Sequence, residues 1–453
     1  MVQQADLSNL IFLPLPPRRN DLFAQTTRLL DAIGYHRRVG SAAGGPAVVT
    51  RRGPSIRSRR ALDWFVFFLA DVQTGFGPFV AVYLTTQKWT QVKIGLILSV
   101  NGLIALLGQI PGGALVDWAR SERLVAGLAV AAIGISALAY AAWPIFPVVL
   151  SAAVLQAAAS CVLGPAIAAI SLGLVGRSEI SGRLGRNARF ASIGSGLAAA
   201  GMGAFGYFVS SRSVFLVTVF LTIPTILALA RIQAHEINPE LAHGAAARED
   251  GASTTSIAAL ATNRPLLAFA FVLLMFQFAN AAMLPLLGGI VTMESSTSAP
   301  ALIAACMVVP QIIVAAMSPW VGARAQFWGR RPLLLMGIGA LVLRSILLAF
   351  VRDPHLLVLI QVLDGISASV FGVLVPLVVV DVTYGSGHFN VAQGIVGTAT
   401  GIGASMSMLF AGYVSDRFGG EIAFLALGGT AVLALSLVWF AMPETRPKHV
   451  TSS

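Results

Sequence analysis

The sequence predicts an all-α integral membrane protein, with twelve transmembrane helices arranged as two six-helix bundles related by a pseudo-two-fold axis. Three observations carry this. The 453 residues are 56% hydrophobic and 11% charged, with a mean hydropathy of +0.81, whereas soluble domains carry about 25% charged residues. Twelve apolar segments each approach the roughly 20 residues that cross a hydrocarbon core. The two halves of the chain also echo each other in sequence.

The first 60 residues hold ten arginines, in pairs such as Arg18-Arg19 and Arg51-Arg52, with Pro and Gly between them. They lack the apolar core and cleavage site of a signal peptide and read as a mostly disordered cytoplasmic extension, with one short amphipathic helix expected after Asn20. Spans follow at 62–85, 94–116, 124–142, 147–175, 190–209 and 214–232, then at 266–290, 300–321, 333–351, 356–380, 391–413 and 421–441. The domains are thus an N-terminal bundle over 61–232, a polar central loop over 233–265, a C-terminal bundle over 266–442 and a tail over 443–453. Cys161 and Cys306 both sit in apolar runs and form no disulfide framework or metal pair.

Lys and Arg fix the direction of the spans, because loops on the cytoplasmic side are enriched in them. With both termini cytoplasmic, 24 of the 30 cationic residues fall on that side and five on the other, with Arg344 left inside a span. The same bias accounts for the net charge of +11 without nucleic acid as a partner. Three lysines against twenty-seven arginines point to a GC-rich bacterial gene, and so to the bacterial inner (plasma) membrane. The repeat has a shift of about 206–208 residues. VLQAAASCVLG at 154–164 aligns with VLDGISASVFG at 362–372, and GYFVSSR at 206–212 with GYVSDR at 412–417. Internal repeats of this kind are a transporter device that places substrate sites near the midplane between the halves.

The loop after span 2 reads GALVDWARSER from Gly113, and the loop after span 8 reads GARAQFWGRR from Gly322. Each is half a match to GxxxDRxGRR, the loop signature of the major facilitator superfamily. With six plus six spans and a polar central loop, residues 61–445 resemble that family. The resemblance implies alternating-access transport, no catalytic residues, no metal and no cofactor beyond a proton gradient. It also implies a small-molecule substrate, protons and the lipid bilayer as partners, and a monomer. In the family this loop latches the two halves, so Gly113, Asp117, Arg120, Gly322, Gly329, Arg330 and Arg331 are the candidate gating residues. An Asp there can face a neighbouring helix N-terminus, and the arginines alternatively serve only as topology determinants. Drug/proton antiporters usually carry an Arg in span 4 and a Gly-Pro in span 5. Here Ala153 stands at the first place, and Gly194, Gly196, Gly201, Gly203 and Gly206 occur without the Gly-Pro.

Ionisable groups inside a bilayer cost about 2.5–3.5 kcal/mol each on insertion scales and mark function by default. Away from the span ends there are three: Asp71, Arg344 and Asp364. Asp63 and Asp381 lie near span ends, where water is expected to reach them. Asp71 is about nine residues into span 1, near the midplane, and is expected to carry a proton reversibly; a permanently protonated carboxyl bonded to a neighbouring helix is the alternative. Arg344 and Asp364 each lie ten residues from Pro354, the hairpin between spans 9 and 10, which puts them at equal depth in an antiparallel pair. A buried Arg stays charged and needs a carboxylate. The arrangement looks like the helix-9 Arg and helix-10 protonatable residue of lactose-permease-like symporters, which implies proton coupling; a static ion pair remains open. Gln73, Asn101, Gln156, Gln277, Asn280 and Gln311 are polar amides in mid-span, expected to line the substrate cavity or to bond between helices. Phe65, Phe76, Phe276, Phe278 and Phe371 are candidates for its apolar wall.

The leading expectation is a proton-coupled secondary active transporter at the plasma membrane, with export favoured over uptake of the symporter type. An intramembrane enzyme lacks its catalytic set, since no His and no closely spaced carboxylate pair falls within the spans. A transport-inactive sensor with the arginine-rich leader as its interaction module is the remaining class.

Overall fold

The computed structural model describes residues 54–74, 78–244, 260, 262–294, 299–440 and 442–445. Residues 1–53, including the helix expected after Asn20, lie outside them, as do the middle of the central loop and the last eight residues. Among the described residues every regular element is a helix.

Span 1 comprises Ile56–Thr74 and Pro78–Thr86, and span 2 comprises Gln91–Leu107 and Gln109–Trp118, bent by 50° between them. Span 3 is Glu122–Ala142. Spans 4 and 5 form one run, Phe146–Phe208, divided at Gly176. The φ of 69° at Gly176 is a backbone conformation that glycine adopts without strain. Span 6 is Ser211–Ala230, and span 7 comprises Arg264–Asn280 and Met283–Glu294. Spans 8 to 12 are Ala299–Trp328, Arg331–Phe350, Pro354–Val382, Phe389–Phe418 and Gly420–Phe440. Among the described residues nine helices are long and apolar enough to cross a membrane, ten with the bent span 2. Dividing the long run at Gly176 and adding the broken span 1 brings the number to twelve.

Local chemistry sets where these helices begin. Thr90, Ser121, Ser210, Asn263 and Asp353 each accept a backbone N–H from the first turn of the span that follows, the N-cap role for which these residue types are preferred. Pro265, Pro332 and Pro354 sit at the first helical positions, where the missing N–H has no intrahelical partner to lose. The first helix begins at Ile56, inside the stretch read as a leader, so Arg57, Arg59 and Arg60 are helical.

Two expectations about the span ends are corrected. The expected spans 147–175 and 190–209 leave Arg177, Arg183, Arg186 and Arg189 in a connecting loop, but they lie on the helical start of span 5. The carboxylates expected to reach water are also buried: the side chains of Asp63 and Asp381 are 2% and 1% exposed. Arg183 Nη2 donates to Asp63 Oδ1 at 2.5 Å, and Arg186 holds the same carboxylate through Nε and Nη2. Arg330 Nε donates to Asp381 Oδ2 at 2.8 Å, and Arg177, from the other half, stands 3.6 Å from Oδ1. The physical reason is that span 5 is helical from just after Gly176, which carries Arg183 and Arg186 over Asp63 on span 1 and Arg177 toward Asp381 on span 10.

Arg183 is as buried as its partner, with 4% of its side chain exposed. Asp63→Asn leaves that guanidinium without its charge partner, which costs about 3–5 kcal/mol in buried pairs. The expected outcome is a marked fall in the thermal unfolding temperature of the detergent-solubilised protein, and an unchanged melting curve contradicts a structural role for the pair.

Candidate functional site

The two halves are joined at the arginine-rich end by two related contacts. In the first, Asp117, at the end of span 2, meets the start of span 11. Asn390 Nδ2 donates to Asp117 Oδ1 at 2.7 Å, and the Val391 N–H donates to Oδ2 at 2.9 Å. A carboxylate thus takes up free N–H groups at a helix N-terminus, where the helix dipole also favours negative charge. In the second, Gln326 holds the place that Asp117 holds in the first loop, and its Nε2 donates to the carbonyl of Ser178 at the start of span 5. Glycine makes both approaches close. A Cβ on Gly113 would run into the carbonyl of Asn390, and one on Gly322 into the carbonyl of Ser181. Of the other candidate gating residues, Arg120 is exposed, Arg331 packs on Trp439, and Gly329 has a φ of 91°. The backbone N–H groups of Arg330 and Arg331 donate to the Glu444 carboxylate.

The start of the central loop closes over the same place. The Phe389 N–H donates to the carbonyl of His243 and the Gly385 N–H to that of Gly244, while Asn238 N–H donates to the carbonyl of Gly173. His243 Nε2 stands 3.3 Å from Glu122 Oε1. That carboxylate raises the imidazole pKa above its ordinary 6.5, partial burial opposes the rise, and Asp117 adds to it.

Between the halves lies a cavity of about 560 Å³, lined by spans 1, 2, 4, 5, 8, 10 and 11, within the usual range for small-molecule sites. Its polar wall is Gln109, Asn187, Ser192, Ser195, Gln311, Gln393 and Thr400, and Asp364 is its one ionisable group among the described residues. Behind Asp364 stands Arg344, with 1% of its side chain exposed against 21% for the carboxylate. Arg344 Nη1 donates to Asp364 Oδ1 at 2.5 Å and to Asn280 Oδ1 at 2.8 Å, and Nη2 donates to Gln361 Oε1 at 2.8 Å. The guanidinium thus has two neutral acceptors besides the carboxylate, and of the charged pair it is the carboxylate that faces the cavity.

Sequence reasoning brought Arg344 and Asp364 to one depth, and the structure brings them into contact. The other expected residues scatter. Gln311 lines the cavity and accepts from Ser192 Oγ at 2.5 Å. Asn280 serves Arg344 instead. Asn101 Nδ2 donates to Gln156 Oε1 at 2.9 Å, a bond between spans 2 and 4, and neither residue is on the cavity wall. Gln277 is half-buried and Gln73 exposed. Asp71 lies on the helix Ile56–Thr74, but its side chain, like all of Phe76, lies outside the described residues. Phe65 is fully buried, Phe276 and Phe371 stack at 3.7 Å in the core, and Phe278 packs on Phe410, so none of these four lines the cavity. Gln361, Gln109, Asn187 and Asn390 were missed. Only Gln361 carried a signal: it lies three residues before Asp364, on the same helix face.

A bundle of twelve spans with a repeat, a central cavity and two paired loops at one end defines a multi-pass membrane transport protein. Residues 64–314 and 286–453 match the Major Facilitator Superfamily. An uncharacterized MFS-type transporter of Mycobacterium tuberculosis, found in strains CDC 1551 and H37Rv, is 41% identical over 395 residues, covering 86% of this chain and 94% of the relative. The chain belongs to the major facilitator superfamily, and it is a transporter. Solved structures that share its fold include the following two. The human organic anion transporter MFSD10 (TETRAN) has a TM-score of 0.65 and 15% identity, over 85% of this chain and all of that one. The nucleoside transporter NupG (D323A mutant) has a TM-score of 0.59 and 17% identity, over 84% and 98%.

Two outcomes are expected of the closed end. Gly113→Val adds a branched side chain where the Asn390 carbonyl sits, and overpacking of this kind costs about 1–3 kcal/mol. Spin labels at the exposed Trp118 and Tyr384 positions are expected to shift toward longer distances in that variant, and unchanged distances contradict the close approach. The second concerns pH. A His whose folded pKa is raised contributes stability below its unfolded value, near 6.5, and loses it as pH rises through the folded value. His243→Gln is therefore expected to lower the unfolding temperature at acid pH, with the gap from the unsubstituted protein closing as pH rises.

Proposed function

We propose that the chain is a proton-coupled secondary active transporter that moves a small molecule across the plasma membrane by alternating access, in the direction of export. The arginine-rich end is the cytoplasmic side in this reading, by the positive-inside rule. One observation carries the coupling: Asp364 opens on the cavity while its partner Arg344 is buried behind it. Protonation of Asp364 breaks a charged contact between spans 9 and 10 and leaves the guanidinium on Asn280 and Gln361. The state of the pair thereby depends on whether a proton or a substrate occupies the cavity. Asp71, on span 1, is the second proton carrier in this scheme. Alternating access then requires the Asp117 and Gln326 contacts to part as the opposite side closes.

The wall supports a substrate class. Among the described residues it carries one carboxylate, already committed to an arginine, and seven amide or hydroxyl side chains, a lining that suits a neutral or amphipathic molecule bearing several hydrogen-bonding groups. Uptake by proton symport is the second reading, favoured by the position of the pair on spans 9 and 10, which resembles that of the lactose-permease-like symporters.

The test uses inside-out vesicles carrying the full chain, a panel of labelled neutral, anionic and cationic solutes, and an imposed pH gradient. Gradient-driven accumulation of the transported solute is expected to be lost in both Asp364→Asn and Asp71→Asn, while exchange without a gradient survives in Asp364→Asn. Accumulation unchanged in both variants removes proton coupling. The sign of the gradient that drives accumulation separates export from uptake.

A further inference from the structure

A second cavity lies away from the transport path, between spans 1 and 6 on the outer surface of the bundle. It measures about 880 Å³ and is lined by Ile56, Arg57, Arg60, Trp64, Phe68 and Arg231, among others. On span 1 the residues at 62, 65, 69 and 72 face the core and are at most 1% exposed. Arg57, Arg60, Trp64 and Phe68, at helical spacing on the other side, face outward. On span 6, Leu216, Phe220, Ile223 and Leu227 are 40–70% exposed and form one outward stripe at spacings of four, three and four, as a lipid-facing surface requires. Arg231 continues that stripe by one more turn. The two antiparallel helices thus end, on the same side of the bundle, in three arginines above an apolar groove.

All three arginines are exposed, and among the described residues none has an ion-pair partner. This sets them apart from Arg183, Arg330 and Arg344, each of which is buried against a carboxylate. Below them the groove runs from Arg60 to Phe68, roughly 12 Å at 1.5 Å per residue, floored by Pro224, Leu227 and Ala228. Trp64 stacks on Phe68 one turn beneath the guanidinium groups, the depth at which indole rings favour a membrane interface.

We propose that this groove binds an anionic phospholipid, with the phosphate on Arg57, Arg60 and Arg231 and one acyl chain along Trp64, Phe68 and Leu227. Charge complementarity selects the headgroup, since three unpaired guanidinium groups suit a phosphate that carries net negative charge. The apolar groove beneath them selects a lipid over a soluble anion, which would leave it empty. Basic pockets between transmembrane helices are a recurrent form of lipid headgroup site. The binding is independent of the proton switch and of the direction of transport.

The experiment measures lipid retention. Full-length protein in detergent is equilibrated with equal amounts of phosphatidylglycerol and phosphatidylcholine, and the bound lipid is counted by native mass spectrometry. Each arginine near an anionic headgroup is worth on the order of a fivefold gain in affinity, so a preference for phosphatidylglycerol of about tenfold or more is expected. The triple variant R57Q/R60Q/R231Q is expected to lose the preference while its unfolding temperature stays unchanged. A control triple of exposed arginines elsewhere, R212Q/R324Q/R417Q, is expected to keep it. Equal retention of the two lipids by the unsubstituted protein overturns the proposal, and so does a preference that survives in the first triple. A preference lost equally in the control means that net charge attracts the lipid, and release by glycerol 3-phosphate means a soluble-anion site; either result also overturns it.

Discussion

A guanidinium cannot shed its proton, and in an apolar bundle it must find its acceptors inside the protein. Arg344 imposes that constraint on the C-terminal half. Span 10 must present Asp364 and Gln361 to it on adjacent turns, and span 7 must bring Asn280 to the same point. Three helices are thereby held in register at mid-depth by one side chain. The pair is not symmetric in exposure either, because the carboxylate opens on the cavity while the guanidinium is buried behind it.

The same rule operates at the arginine-rich end with a different result. There the charges lie near water, yet Asp63 and Asp381 are buried more deeply than Asp364. Arginines from span 5 and from the start of span 9 cover them. Arg177 reaches Asp381 across the boundary between the halves and stacks on Tyr384 with its guanidinium 4.0 Å from the ring centre. The closed end is therefore built from ion pairs, helix-terminus capping by Asp117, and glycine contacts that let backbones touch. None of these is strong alone in the way a packed core is strong.

The cavity lies between these two zones, and among the described residues its wall carries one ionisable group, Asp364. Its wall draws on seven spans from both halves, so rigid movement of one half against the other changes its shape and access together. The central loop adds a further link, since His243 and Gly244 hydrogen-bond to the start of span 11 while His243 faces Glu122 on span 3. A group whose ordinary pKa is near neutrality therefore stands beside the contact between the halves.

The composition, the twelve apolar runs and the equal depth of Arg344 and Asp364 were all readable from the chain alone. Each depends on quantities that sequence carries directly: the length of a run, the spacing from a turn, and the cost of charge in hydrocarbon. The span boundaries followed for the same reason, to within about seven residues except at the start of span 5, where a run of arginines reads as loop because nothing local shows that Asp63 receives them. The tertiary structure decided which amides meet. Asn101 and Gln156 are 55 positions apart and satisfy each other, while Asn280 turns to Arg344 and Gln311 to Ser192. A polar side chain in a span must find some partner, and the sequence states that need. Which partner it finds depends on how two helices rotate about their own axes when they pack, and the sequence alone does not determine that angle.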